Sequence, residues 1–184
     1  VGEIFLKFNP FAQKDVTSWL INQKIEVIPP LISDFFMQGF VNLKVRQNQH
    51  LQRKLTPDFV IDWLYKKVQK QINKVNEIGK NFNYFTPFES IFEKAEKAKQ
   101  VISLGTQFGE GWLISGEILS FASQGVNHVI SLQPFGCIAN HIVEKGIEKR
   151  IKSLCPQMNI LSLDFDSSVS DCLLYTSPSP RDTR

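Results

Sequence analysis

The residues best suited to do chemistry lie in one short run, Gln133-Pro134-Phe135-Gly136-Cys137. This run follows an apolar stretch typical of a buried parallel strand and precedes a stretch with helical spacing, so Cys137 is predicted at a helix N-terminus. The backbone N–H groups of a first helical turn favour a thiolate over a thiol. Gly136 allows the backbone to turn tightly before the helix. A cysteine in this position is a candidate metal ligand or nucleophile.

His141 follows Cys137 by four residues, so both side chains are expected on one face of the predicted helix. The pattern Cys-x-x-x-His is half of a zinc site, but a second pair of ligands is missing. The same two residues match a nucleophile and its base, but the sequence identifies no third residue that would orient the base. Asn140 is predicted to cap or hydrogen-bond the turn. Three interpretations of Cys137 therefore stay open: metal ligand, nucleophile and buried small side chain.

Two further motifs are weaker. The run Gly109-Glu110-Gly111 precedes a predicted helix and could cradle a phosphate, but it lacks the third glycine and the preceding strand of a dinucleotide site. Asp164 and Asp166 end the last predicted strand, close to the expected site, and are predicted to cap or close a turn. Neither motif identifies a cofactor.

Composition excludes several classes of protein. The 184 residues include 21 Lys and Arg and 18 Asp and Glu, which gives a formal net charge of +3. That excess is too small to favour nucleic acid as a partner. No apolar run reaches the roughly 20 residues that a membrane-spanning helix needs. The three cysteines, without a secretory signal, favour metal binding or catalysis over disulfides. We expect a cytoplasmic protein with neither nucleic acid nor a membrane as a partner.

Alternating strands and helices are predicted to position Cys137. The predicted strands are 3–8, 26–28, 126–132 and 159–165. The predicted helices are 14–23, 31–45, 57–79, 86–101, 112–123 and 137–154. The last helix is expected to face inward with Ile138, Ile142, Ile147, Ile151 and Leu154. The strand–helix–strand run predicts a right-handed parallel unit. The fold class is therefore predicted to be α/β, with a doubly wound, Rossmann-like parallel sheet flanked by helices.

The two ends of the sequence lead to a prediction about its domains. Val1 to Phe8 reads as the inside of a strand, which is expected of a chain that continues upstream. The run Cys172 to Asp182 differs in composition from the strand before it and resembles the translation of a transposase adapter used in DNA sequencing libraries. We expect residues 1–171 to be an α/β lobe truncated at both ends and residues 172–184 to be a non-native tail.

A longer run around the candidate cysteine resembles a known family. The run Ile130 to Gly146, ISLQPFGCIANHIVEKG, resembles the C-terminal part of the acyl-CoA dehydratase activase-related proteins. That part is similar to the iron–sulfur components of 2-hydroxyacyl-CoA dehydratase and benzoyl-CoA reductase. The runs 1–11, 109–113 and 159–166 fit the same resemblance, which covers nearly all of residues 1–171.

The resemblance implies a fragment of a two-lobed protein that binds a 4Fe-4S or related cluster, with Cys137 as the one metal ligand in this chain. The remaining ligands would come from an N-terminal lobe, and an ATP-dependent activase domain, in the same chain or separate, would deliver electrons. The residues expected around the cofactor are Gln133, Phe135, Gly136, Asn140 and His141. The implied function is low-potential electron transfer to an acyl-CoA-type substrate in an anaerobic cytoplasm.

Two alternative functions stay open beside the iron–sulfur reading. The first is a cysteine-nucleophile enzyme that uses Cys137 and His141. The second is a non-catalytic scaffold lobe that docks a partner through a surface rich in Phe, of which the chain has 15. We do not expect catalysis from this fragment alone under the iron–sulfur reading, because one cysteine cannot hold a cubane cluster.

Overall fold

The first strand follows six α-helices in a computed structural model that describes residues 1–51, 57–83 and 85–165, together with the backbone of 173–175. The α-helices are α1 (Ile4–Phe8), α2 (Val16–Asn22), α3 (Ile32–Asn48), α4 (Asp58–Gly79), α5 (Ile91–Ala98), α6 (Gly111–Ser123) and α7 (Lys145–Leu154). The strands are β1 (His128–Pro134), β2 (Asn159–Phe165) and β3 (Leu173–Tyr175). A π-helix, Ile138–Glu144, lies between β1 and α7.

The sheet is built on the predicted parallel unit. β1 and β2 pair in parallel, with Gln133 opposite Asp164, and the π-helix and α7 form the crossover between them. β2 also pairs antiparallel with β3, whose backbone belongs to the segment predicted to be a non-native tail. Most other residues of that segment lie outside the described ones. The described strands follow the order β1-β2-β3, so the α/β class is supported, whereas a doubly wound sheet is a finer statement than three strands can support.

Two segments predicted as strands are not strands in the described structure. Residues 4–8 form α1 because the carboxylate of Glu3 accepts a hydrogen bond from the N–H of Leu6, at 2.9 Å, and so caps a helix. The N–H of Ile4 also donates to Oε1 of Glu110, at 2.8 Å, which fixes the start of that helix. Residues 26–28 form no regular element, because no described strand pairs with them.

Most of the predicted helices are present with ends shifted by a few residues. The predictions at 14–23, 31–45, 57–79 and 112–123 are confirmed as α2, α3, α4 and α6. α5 is shorter than predicted, because its capping box consists of Ser90 and Glu93, whereas the sequence favoured Thr86 and Glu89. Thr56, the predicted cap of α4, lies outside the described residues.

The prediction of which residues of the last helix face inward is partly wrong. Ile147 and Ile151 of α7 are buried, but the side chains of Ile138, Ile142 and Leu154 are 54%, 63% and 37% exposed. Ile138 and Ile142 belong to the π-helix, whose hydrogen bonds join residues i and i+5 and whose turn is wider than that of an α-helix. Spacings of three and four residues therefore do not line up on one face there.

Two apolar clusters of the core lie on two sides of α6, and a third packs α1 against β1 and β2. One cluster packs α6 against α3 and α5 through residues that include Met37, Val41, Ile91, Trp112 and Leu113. The other packs α6 against β1, β2 and α7 through residues that include Ile114, Ile118, Val129, Ile151 and Ile160. α6 is accordingly buried at every residue from Gly111 to Ser120. Among the described helices, none combines the length and the apolar character that a membrane span requires.

Candidate functional site

Polar side chains line one face of the sheet where β1 and β2 end. The pairing register places Ser131 opposite Ser162 and Gln133 opposite Asp164. Residues opposite each other, and residues two apart on a strand, point to the same face, so these four side chains lie together. All four are buried. Because buried polar groups are costly unless they are hydrogen-bonded, this face is a candidate site rather than ordinary core.

Glu144 ties this polar face to the π-helix above it. Its buried carboxylate accepts hydrogen bonds from Oγ of Ser131 at 2.6 Å, from Oγ of Ser162 at 3.0 Å and from Nε2 of Gln133. Burial raises the pKa of Glu144, while the hydrogen bonds from the two serines act in the opposite direction without cancelling the effect. Sequence reasoning missed this carboxylate. The available signal was a serine in the middle of each of two apolar strands.

Cys137 lies at the turn between β1 and the π-helix, where the sequence predicted it. It is the N-cap residue of the π-helix, its backbone is extended, and its side chain is partly exposed. Gly136 before it has a φ of +78°, which confirms that the turn uses the conformational freedom of glycine. Nδ2 of Asn140, a fully buried residue, donates a hydrogen bond to Sγ of Cys137 at 3.2 Å. A donor at the sulfur stabilises negative charge that develops on it.

His141 contacts the carboxyl end of β2. Its Nδ1 lies 3.5 Å from Oδ1 of Asp164, and the carboxylate of Asp164 is buried. The ring of Phe135 meets the imidazole edge to face, with 5.5 Å between the ring centroids. Asp164 was predicted as a cap or turn residue, and the structure shows it instead as a group that can orient His141. Asp166 lies outside the described residues.

The structure brings the predicted site residues together in three side-chain contacts near the end of β1. Cys137 meets Asn140, Phe135 meets His141, and Gln133 meets Glu144 beneath the π-helix. The glycine run at the start of α6 lies against the π-helix, where a Cβ on Gly109 would be 3.4 Å from Cβ of Ala139, but it takes part in none of these three contacts. Glu110 in that run is buried and accepts a hydrogen bond from Ile4, and burial raises its pKa. A buried carboxylate there disfavours the phosphate that the glycines suggested.

The described residues offer one clear ligand for a metal centre. No group of three or more His, Cys, Asp and Glu is placed to hold a metal ion within 1–51, 57–83 and 85–165. Cys137 fits the role of a single ligand, because its thiol is partly exposed and has a donor at the sulfur. The other free cysteine, Cys155, packs against the apolar cluster around α7. Any cluster at Cys137 therefore needs ligands from beyond the described residues.

Comparison with known proteins adds no relative to this description. No family model, no curated protein and no solved structure matches the chain.

Proposed function

We propose that this chain contributes Cys137 as one thiolate ligand to an iron–sulfur cluster that is completed by cysteines outside the described residues. The observation that carries the proposal is the hydrogen bond from Asn140 to a partly exposed sulfur at the strand-to-helix turn. Ligands of α/β proteins gather at the carboxyl ends of parallel strands, which is where this sulfur lies. The resemblance of the run Ile130 to Gly146 to iron–sulfur components supports the same role.

The neighbouring side chains would adjust the ligand. The amide of Asn140 draws charge from the sulfur, and hydrogen bonds to ligand sulfurs are one way in which proteins set the potential of a cluster. The exposed ring of Phe135 presents an apolar surface next to the site that a covering lobe would shield from water. Gln133 and Glu144 brace the π-helix from below, which keeps the turn at Cys137 in place.

The proposed activity is low-potential electron transfer to an acyl-CoA-type substrate. A 4Fe-4S or related cluster supplies one-electron chemistry when it is bound. We further propose that an N-terminal lobe supplies the remaining ligands and that an ATP-dependent activase domain, in the same chain or separate, supplies the electrons. An anaerobic cytoplasm is the setting that suits an exposed cluster of low potential.

The test uses the natural gene product that carries this sequence, purified without oxygen. Iron, acid-labile sulfide and the visible spectrum are measured for the unaltered protein, for Cys137→Ala and for the matched control Cys155→Ala. We expect a cluster in the unaltered protein and in the control, and a lost or altered cluster in Cys137→Ala. The absence of iron and sulfide from all three, or an unchanged cluster in Cys137→Ala, would contradict the proposal.

A cysteine-nucleophile enzyme is the second candidate, and one observation favours it. The carboxylate of Asp164 lies beside Nδ1 of His141, so the chain does contain a third residue that can orient a base. This candidate requires Cys137 to react with an alkylating agent faster than Cys155, in a pH-dependent manner, and His141→Ala to slow that reaction. Alkylation of Cys137 at the rate of an ordinary free thiol would remove the candidate.

A further inference from the structure

A cavity of about 420 Å³ runs along the outer edge of β1, the edge that faces away from β2. Its first wall is the stretch from Val126 to Ile130, which lies toward the amino end of β1, away from Cys137. The opposite wall consists of Val16 and Leu20 of α2 and of the segment from Ile25 to Pro30. These walls are mainly apolar. The cavity therefore has the size of a ligand site but lies apart from the polar face under the π-helix.

A parallel ladder already begins at one end of this cavity. Gly2 forms a parallel bridge with Leu132, whose N–H donates to the carbonyl of Val1 at 3.1 Å. The nitrogen of Val1 donates in turn to the carbonyl of Ile130 at 2.9 Å. Residues 1–3 thus run in the same direction as β1 and in a fixed register with it. Val1 is the first residue of the sequence, so the ladder ends there.

The cavity continues the line of that ladder. In a parallel ladder the backbone N–H and C=O groups of every second residue point to the same edge of the strand. Leu132 points to the outer edge of β1, so the next groups available for pairing there are the N–H of Ile130 and the backbone of His128. Both residues line the cavity. Across from them, Ile25 and Ile28 are 49% and 40% exposed, although both are apolar. Ile28 ends the segment that was predicted as a strand, residues 26–28, and Ile25 precedes that segment. No described strand pairs with it.

We propose that this cavity is the binding site of one further β-strand, which runs parallel to β1 and whose carboxyl end joins Val1. The register of Gly2 with Leu132 places the residue before Val1 opposite Ile130. No loop is needed, because residues 1–3 already have the required direction. The strand would hydrogen-bond to the outer edge of β1 and cover Ile25 and Ile28 with its side chains.

The charges around the cavity favour a strand over a small anionic ligand. Lys7 is one buried cation that lines the cavity, and its Nζ lies 3.4 Å from Oε1 of Glu117. Both side chains of this pair are almost fully buried, so the charge of Lys7 is compensated within the protein. The other cation is the ammonium group of Val1, which donates to the carbonyl of Ile130 and would be a peptide nitrogen in the proposed continuous chain. The cavity has apolar walls and an unpaired backbone edge of β1, and the charge of Lys7 is neutralised by Glu117. These features suit an added β-strand that binds through its backbone. It offers little to recognise a carboxylate or a phosphate.

The proposal also accounts for the missing strand at 26–28. A strand in the cavity would place this segment at the edge of a larger sheet, beside a neighbour. The sheet would then extend on both sides of β1, as a doubly wound fold requires. This inference is independent of the role of Cys137, so either proposal can fail without the other.

The test compares two extended forms of the full chain. One carries six residues of alternating Val and Thr fused to Val1, and the matched control carries six residues of alternating Gly and Ser. We expect the Val/Thr extension to slow hydrogen exchange at the Ile130 amide by about tenfold or more and to raise the melting temperature. The Gly/Ser extension should do neither. Equal effects of the two extensions, or no slowing at Ile130 with Val/Thr, would overturn the proposal.

A third sample tests whether the strand has to be covalently joined to Val1. The Val/Thr hexapeptide is added, unattached, at an equimolar concentration to the unextended chain. We expect no protection of Ile130 in that sample, because the free peptide has to pay the full cost of association. If the free peptide protected the Ile130 amide as well as the fused strand does, the proposal that the strand must be continuous with Val1 would be overturned.

Discussion

Oδ1 of Asp164 lies 3.5 Å from Nδ1 of His141, so the end of β2 reaches the π-helix that follows β1. The preceding residue, Asn140, is hydrogen-bonded instead to Sγ of Cys137. Two consecutive residues of the π-helix therefore make different contacts at the candidate site. Asn140 acts directly on the sulfur, whichever function is correct, whereas the contact with Asp164 matters for a base.

The first prediction concerns the donor at the sulfur. Asn140→Ala removes the hydrogen bond to Sγ of Cys137. Since a hydrogen bond of this kind is worth about 1 kcal/mol, we expect alkylation of Cys137 by iodoacetamide at neutral pH to slow by roughly fivefold. Peptide mass spectrometry follows Cys137 separately from Cys155. Asn159→Ala, at an exposed position at the start of β2, is the control, and an Asn140→Ala rate equal to that of the control contradicts the prediction.

The second prediction concerns a buried ion pair between α3 and α5. Nζ of Lys94 donates to Oδ2 of Asp34, and both side chains are buried. Lys94→Met leaves the carboxylate without its cation, so we expect the free energy of unfolding in urea to fall by about 3–5 kcal/mol. The double variant Asp34→Leu with Lys94→Met should recover most of that loss.

The control for this pair is the exposed contact between Lys80 and Glu77. Lys80→Met should change the free energy of unfolding by less than about 1 kcal/mol, because water screens exposed charges. A Lys94→Met variant as stable as Lys80→Met would show that the buried pair contributes no more than a surface pair.

The third prediction concerns pH and Glu144. Burial raises the pKa of this carboxyl above its ordinary value of 4.5 in the folded protein. The folded state therefore holds its proton more tightly than the unfolded state, and stability falls as the pH rises through the raised pKa. Glu144→Gln removes this contribution, so its melting temperature should decline less between pH 4.5 and neutrality. Glu77→Gln, at an exposed position, should keep the full decline.

Part of the decline should remain in Glu144→Gln, because burial also raises the pKa values of Asp34 and Glu110. Thermal unfolding followed by circular dichroism across this pH range measures the difference. A decline in Glu144→Gln as steep as in the unaltered protein would show that Glu144 does not titrate in this range.

The fourth prediction compares two helical glycines. A Cβ on Gly116 of α6 would lie 2.8 Å from the carbonyl oxygen of Lys94 in α5, whereas a Cβ on Gly146 of α7 would meet nothing within 4 Å. We expect Gly116→Ala to destabilise the protein by about 1–3 kcal/mol, because α5 and α6 have to separate. Gly146→Ala should stabilise it by up to about 1 kcal/mol through helix propensity. Urea unfolding measures the free energy of unfolding of both variants. A change of the same sign in both would contradict the close approach of α5 and α6 at Gly116.

The parallel unit of β1 and β2 could be predicted because its signals are local. Dense apolar runs end at turn residues, and β2 was predicted with the bounds that it has, Asn159 to Phe165. α1 could not be predicted in the same way. Its cap, Glu3, is local, but its first N–H is bound by Glu110, more than a hundred residues away, and no spacing within residues 1–11 carries that second contact.

The same difference between local and distant signals applies to the candidate site. Cys137 at the turn followed from a glycine, a strand end and a helix start that are adjacent in sequence. Glu144 did not, because a charged residue within a helical pattern usually indicates a solvated face. Only the register that places Ser131 opposite Ser162 shows what its carboxylate binds.

The π-helix makes this site sensitive to chain length rather than to the identity of each side chain. A deletion of one residue between Cys137 and Asn140 would allow the segment to wind as an ordinary α-helix without turning α7, but Asn140 would then follow Cys137 by two residues instead of three. Its amide would leave the sulfur, although every site residue would still be encoded. Natural variants of this segment are accordingly expected to exchange side chains at Ile138 and Ile142, which are exposed, and to avoid insertions and deletions.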